Sequence, residues 1–157
     1  MKRLQELLAE CRESIREVFP WDLIPLLDDD AQKPLLLDVR EPTEFENIKI
    51  TDSINIPRGL LEQACEYGFE ETVPELVEAR ERLVVVICRS GNRSLLAART
   101  MQTMGYQNLA SLNTGLRGWN DYDQPLYNST GLQVDQEDAD TFFESNVRPD
   151  QLEPDRS

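Results

Sequence analysis

LVVVICRSGNRS, residues 83–94, decides how this chain is read. Leu83 to Ile87 is short, apolar and β-branched at four of five positions, the pattern of a central strand buried on both faces of a parallel sheet. It runs directly into Cys88 and a loop containing Gly91, and then into SLLAARTMQTM, residues 94–104. There Leu95, Leu96, Ala98, Met101 and Met104 recur at helical spacing before Gly105. A cysteine that closes a strand and opens a loop before a helix lies at the carboxyl edge of the sheet, where open α/β folds hold ligands. The backbone N–H groups of Arg89, Ser90, Gly91, Asn92, Arg93 and Ser94 are then placed to curl around the sulfur as an anion-binding nest. Gly91 supplies a residue free to take a positive φ, and the helix adds its positive end.

Such surroundings favour the thiolate, so Cys88 needs no separate base to act as a nucleophile. Arg89 and Arg93 flank the loop, and either suits a sulfonate-like oxyanion donor. Arg93, at the helix entrance, is the better placed. Packing alone explains most lone cysteines at strand ends. It gives no reason to gather two arginines, a glycine and two serines into the next six residues.

Outward from this segment, LLLDV at residues 35–39 reads as a second buried strand, preceded by a short helix from Trp21 to Leu27 that Pro25 interrupts. A brief helix over Glu41 to Glu46, a small strand at Ser53 to Ile56 and a turn at Pro57 to Gly59 follow. Residues 60–82 carry helical patterns broken near Gly68 and Pro74. A strand near Asn108 to Leu112 leads into the glycine-marked turn NTGLRGW and a last short helix. Strands alternating with helices predict an α/β fold, a parallel sheet with helices on both faces. Residues 1–19 place Leu4, Leu7, Leu8, Cys11, Ile15, Val18 and Phe19 on one helical face before Pro20, which predicts an N-terminal amphipathic helix. Residues 132–157 hold eight Asp or Glu against Arg148 and Arg156, so 127–157 is expected to be a mobile acidic tail with Phe142 and Phe143 as possible anchors. The domain itself then spans 20–126.

Composition narrows the chemistry. The chain of 157 residues suits one domain and one site. It contains no histidine, which removes Cys-His dyads, imidazole shuttles and histidine-ligated metals. Cys11, Cys65 and Cys88 form no CxxC pair, so reduced thiols are expected rather than a zinc site or disulfides, and no cofactor is implied. A net charge of −14 argues against nucleic acid or an anionic membrane as partner. No apolar run approaches a membrane span, and Glu6, Glu10 and Glu13 break the N-terminal apolar residues, so the expected location is cytoplasmic.

LLDVREPTEFE, SINIPRGLLE, VVVICRSGNRS and TGLRGW, in this order, are similar to the rhodanese family of sulfurtransferases over residues 20–126. The resemblance implies a rhodanese-like fold with a five-stranded parallel core and a cysteine that cycles between thiol and persulfide. By position Cys88 is the sulfur carrier and Arg89 to Ser94 the persulfide cradle. Asp38 and Arg40 brace the loop from the neighbouring strand, although a plain structural pair is an equal reading, and Arg58 lies on a connection that approaches the site. Trp119 is assigned to the core beneath the loop, and Cys65 to helix packing in preference to a resolving thiol. The implied partners are a small sulfur-donor anion and an acceptor that is a thiol or a sulfur-carrier protein. Asn47 to Ile50 stands where similar proteins often carry Gly-His-Ile, which bears on subgroup more than on the cradle. Two other readings are compatible with the architecture. One is a non-catalytic interaction module, against which the retained Cys88 argues. The other is a phosphatase, whose loop is one residue longer than the four residues that separate Cys88 from Arg93.

Overall fold

A computed structural model describes residues 1–154. Five parallel strands form one sheet in the order β1-β5-β4-β2-β3: β1 (Arg16–Val18), β2 (Leu35–Asp38), β3 (Ile54–Asn55), β4 (Val84–Ile87) and β5 (Leu109–Leu112). The apolar run around Val85 is therefore the central strand, with Val86 paired to Leu37 on one side and Ser111 on the other. Strand periodicity sends Val84, Val86 and Cys88 to one face with Leu35, Leu37 and Val39, and Val85 and Ile87 to the other with Leu36, Ala110 and Leu112. The first face is covered by α1 (Leu4–Arg12), α4 (Leu61–Ala64), α5 (Pro74–Val77) and α6 (Asn92–Thr103). The second is covered by α2 (Pro20–Leu27), α7 (Gly115–Asp121) and α8 (Gln136–Phe142). The remaining helix, α3 (Pro42–Asn47), buries none of its residues and bridges β2 to the loop before β3.

Two expectations need correction. The N-terminal helix does not continue to residue 19. It ends at Arg12, and residues 16–18 pair in parallel with β5 as an edge strand, Val18 opposite Leu112. Ile15 and Val18 are buried either way, so their spacing alone did not separate helix from strand. The segment after residue 126 is also not a loose tail through 143. Tyr127 bridges Lys49 and Gln133, and α8 buries Ala139, with Phe143 buried just beyond it. Of the two phenylalanines named as possible anchors, Phe143 is buried and Phe142 packs edge-on against it from an exposed position. Residues 155–157 of the expected tail lie outside the described residues.

Candidate active site

Cys88 directly follows β4, and its sulfur is buried, with the residue 1% exposed. The main chain turns back over it because Gly91 adopts φ +99° as the N-cap of α6, a conformation that an L side chain resists. The Gly91 N–H points at Sγ at 3.1 Å and the Ser94 N–H at 3.4 Å. The thiol in turn lies 3.4 Å from the Ser94 Oγ, which bonds the Gly91 carbonyl at 3.1 Å and the Ser111 hydroxyl at 2.7 Å. Of the loop's amides, those of Gly91 and Ser94 are the two within hydrogen-bond reach of the sulfur among the described residues. Ser90 is exposed and Asn92 half-buried, and both complete the loop's path into the helix.

The loop is clamped from outside as well. Leu116 N–H donates to the Cys88 carbonyl at 2.9 Å and Arg117 N–H to the Arg89 carbonyl at 3.0 Å, so the first turn of α7 fixes the outer side of the loop. Gly115 permits that approach. A Cβ there would stand 2.5 Å from the Cys88 and Arg89 carbonyl oxygens. The TGLRGW segment is thus part of the site's frame, and its Trp119 is buried in the core of the second face.

Among the described residues, neither loop arginine bonds the sulfur through its guanidinium. Arg89 Nη2 donates to the carbonyls of Phe143 and Glu144, at 2.8 and 2.9 Å, tying the loop to the end of α8. Arg93 forms a fork with Glu44, Nη1 to Oε1 at 2.7 Å and Nη2 to Oε2 at 3.0 Å. Burial alone would raise the Glu44 carboxyl, but the Arg93 fork and the Glu41 backbone N–H hold it below its ordinary value. The Glu44 bond likewise holds the Arg93 guanidinium above its usual value, against the burial that alone would lower it.

Asp38 and Arg40 are both buried. Arg40 Nε and Nη2 grip the Asp38 carboxylate at 3.0 and 2.8 Å, and Nη2 also reaches the Ile48 carbonyl at 2.5 Å. Arg40 Nη1 donates to the Glu44 carbonyl at 3.4 Å. The pair therefore touches the loop indirectly: it fixes α3, α3 carries Glu44, and Glu44 holds Arg93. The Arg58 guanidinium is bonded elsewhere, Nη1 to Glu62 at 2.9 Å and Nη2 to the Thr100 Oγ1 of α6 at 3.0 Å. Cys65 is buried against the Arg80 and Tyr106 cluster, and burial pushes its thiol above its ordinary value, which fits packing better than nucleophilic attack.

Two residues here were absent from the sequence reading. Ser111 carried a faint signal, a polar residue inside an apolar strand, whereas Glu44 stands 49 positions from its arginine and had none that local pattern could supply.

A family model for the rhodanese-like domain matches residues 22–122. A putative mitochondrial thiosulfate sulfurtransferase of Schizosaccharomyces pombe is 36% identical over 96 residues, which cover 55% of this chain and 63% of that protein. The adenylyltransferase and sulfurtransferase MOCS3 of Drosophila virilis is 37% identical over 97 residues, 59% of this chain and 21% of that protein. The chain thus spans less than two thirds of either relative. Among solved structures, a Rhodopseudomonas palustris protein of unknown function, described as a possible tyrosine phosphatase, superposes with a TM-score of 0.73 at 31% identity, covering 80% of this chain and 94% of that one.

Proposed function

Since the chain belongs to the rhodanese-like domain family, we propose that it is a sulfurtransferase in which Cys88 carries sulfane sulfur, from thiosulfate or a persulfide donor, to a thiol or sulfur-carrier acceptor in the cytoplasm. The Cys88 thiolate attacks the outer sulfur of the donor, a new S–S bond forms, and the donor's own S–S bond breaks with its electron pair leaving on sulfite or a thiolate. The product is a Cys88 persulfide, whose outer sulfur stands about 2 Å beyond Sγ. Negative charge on that group is met by main-chain donors, and no proton needs to be delivered to either leaving group.

The observation that carries this reading is the pair of amides, Gly91 and Ser94, directed at Sγ from the start of a helix. A phosphatase reading, which the description of the Rhodopseudomonas palustris protein invites, is disfavoured by the same loop. Four residues separate Cys88 from Arg93, and the guanidinium that a phosphate would need is held by Glu44. Intact-mass analysis after thiosulfate treatment tests the proposal. The parent and Cys65→Ser gain one sulfur, and Cys88→Ser gains none. Turnover of an aryl phosphate without sulfur loading would replace this reading with the other.

A further inference from the structure

On the same face of the sheet as Cys88, a groove of about 610 Å3 runs between α1 and α6. Leu7 and Cys11 of α1 and Leu96 of α6 are its apolar lining, and Arg58, Arg93 and Arg99 line it as well. The α1 wall lies outside residues 22–122, so it is an addition of this chain to the family core.

The three arginines are not equivalent. Arg93 and Arg58 are paired with Glu44 and Glu62, whereas Arg99 is exposed and has no salt bridge among the described residues. Glu10 of α1, which lines the same groove, is held low first by its bond to Lys2 and more weakly by Arg99. In a chain of net charge −14, a guanidinium whose neighbouring carboxylate, Glu10, is already bonded to Lys2 favours an anionic ligand in the apolar groove beside it.

Distance narrows the class. Arg93 adjoins the sulfur loop, and Thr100, to which Arg58 is bonded, lies about 10 Å further along the α6 axis. Thiosulfate is too short to occupy the loop and the Arg99 region together. A peptide thiol with a carboxylate on the residue next to its cysteine approaches that length, the side-chain bonds adding to about 3.3–3.6 Å per extended residue.

Building on the sulfurtransferase reading, we propose that this groove binds the acceptor, and that the acceptor is a carboxylate-bearing peptide thiol, its carboxylate at Arg99 and its sulfur at the Cys88 end. The acceptor thiolate forms a bond to the outer sulfur of the Cys88 persulfide as the Sγ–S bond breaks. The electron pair of the broken bond returns to Cys88 as thiolate, and the acceptor departs as a persulfide. The acceptor's thiol proton goes to solvent, and neither oxidant nor reductant is consumed.

The test uses the full chain loaded with sulfur from thiosulfate, followed by unloading with glutathione, glutathione diethyl ester or 2-mercaptoethanol at matched thiolate concentration. Glutathione unloads the parent about threefold to fivefold faster than its ester, the range that an exposed charge pair supplies. The preference disappears in Arg99→Gln, grows in Glu10→Gln and narrows at high salt, while 2-mercaptoethanol treats all three proteins alike. Normal loading with no preference in the parent, or with an equal preference in Arg99→Gln, overturns the groove and leaves the sulfurtransferase reading standing. Failure of Cys88 to load at all overturns both.

Discussion

Replacing Gly115 by alanine is the sharpest test of how the sulfur loop is held. Gly115 sits at φ +58°, and its missing Cβ would stand 2.5 Å from the Cys88 and Arg89 carbonyl oxygens and from the Arg89 carbonyl carbon. Ordinary contact distances are close to 3.5 Å, so α7 and the loop must separate by about 1 Å. That movement stretches the two bonds from Leu116 and Arg117 that cap the loop's outer carbonyls. The left-handed backbone costs an alanine about 1 kcal/mol and overpacking against main chain about 1–3 kcal/mol more, a total of roughly 2–4 kcal/mol. For a chain of this size the melting temperature falls by about 2–4 °C per kcal/mol, hence by roughly 4–16 °C. Gly131→Ala is the internal control, since Gly131 has φ +80° but nothing within 4 Å of its Cβ position. It carries the backbone cost alone, about 2–4 °C. Thermal unfolding of the two variants, with sulfur loading read by intact mass, decides the matter. If Gly115→Ala melts with Gly131→Ala and loads sulfur at the parental rate, the clamp by α7 does not govern the site.

Three further substitutions probe the frame. Asp38→Asn leaves the buried Arg40 guanidinium without its counter-charge and destabilises the fold by about 3–5 kcal/mol in urea titration; a loss under 1 kcal/mol would mean that water reaches the pair. Glu44→Gln removes the Arg93 fork, which is partly exposed and contributes about 0.5–1 kcal/mol. Because the folded-state carboxyl lies below the ordinary value of 4.5, that contribution is complete above this value and fades as pH falls below it, so the parent and variant stability curves separate at neutral pH and converge in acid. Parallel curves would contradict the assignment. Arg89→Ala frees the carbonyls at the end of α8 and raises proteolytic cleavage within 136–144 roughly tenfold, for about 1.5 kcal/mol of lost anchoring, with unchanged cleavage as the opposing result.

The parts that sequence made plain are those whose physics is local. Val84 to Ile87 could be read because a strand buried on both faces must be apolar at every position, and Gly91 because the chain reverses there with a positive φ. Residues 16–18 misled because an edge strand of three residues pairs on one side only, and Arg16 and Glu17 carry no strand signature. Beyond the two phenylalanines named as anchors, the helix α8 itself was not read, because its acidic face is solvated and Ala139 is the residue it buries. Glu44 was missed for a different reason: its charge partner is set by where α3 and α6 meet in space, and no window of sequence contains both.

The arginines carry the main revision to the site's electrostatics. Two cations flanking a reactive cysteine suggest side chains that grip the donor, but both guanidinium groups here are already committed, Arg89 to main-chain carbonyls and Arg93 to a carboxylate. A forked arginine and its carboxylate together present little net field a few ångströms away, so the charge on the sulfur is left to the amides of Gly91 and Ser94 and to the start of α6. Main-chain donors cannot withdraw, and they impose little preference among anions of similar size. Selectivity for a partner must then come from outside the loop. On the adjoining face of α6, Arg99, which has no salt bridge among the described residues, is the group we propose for it.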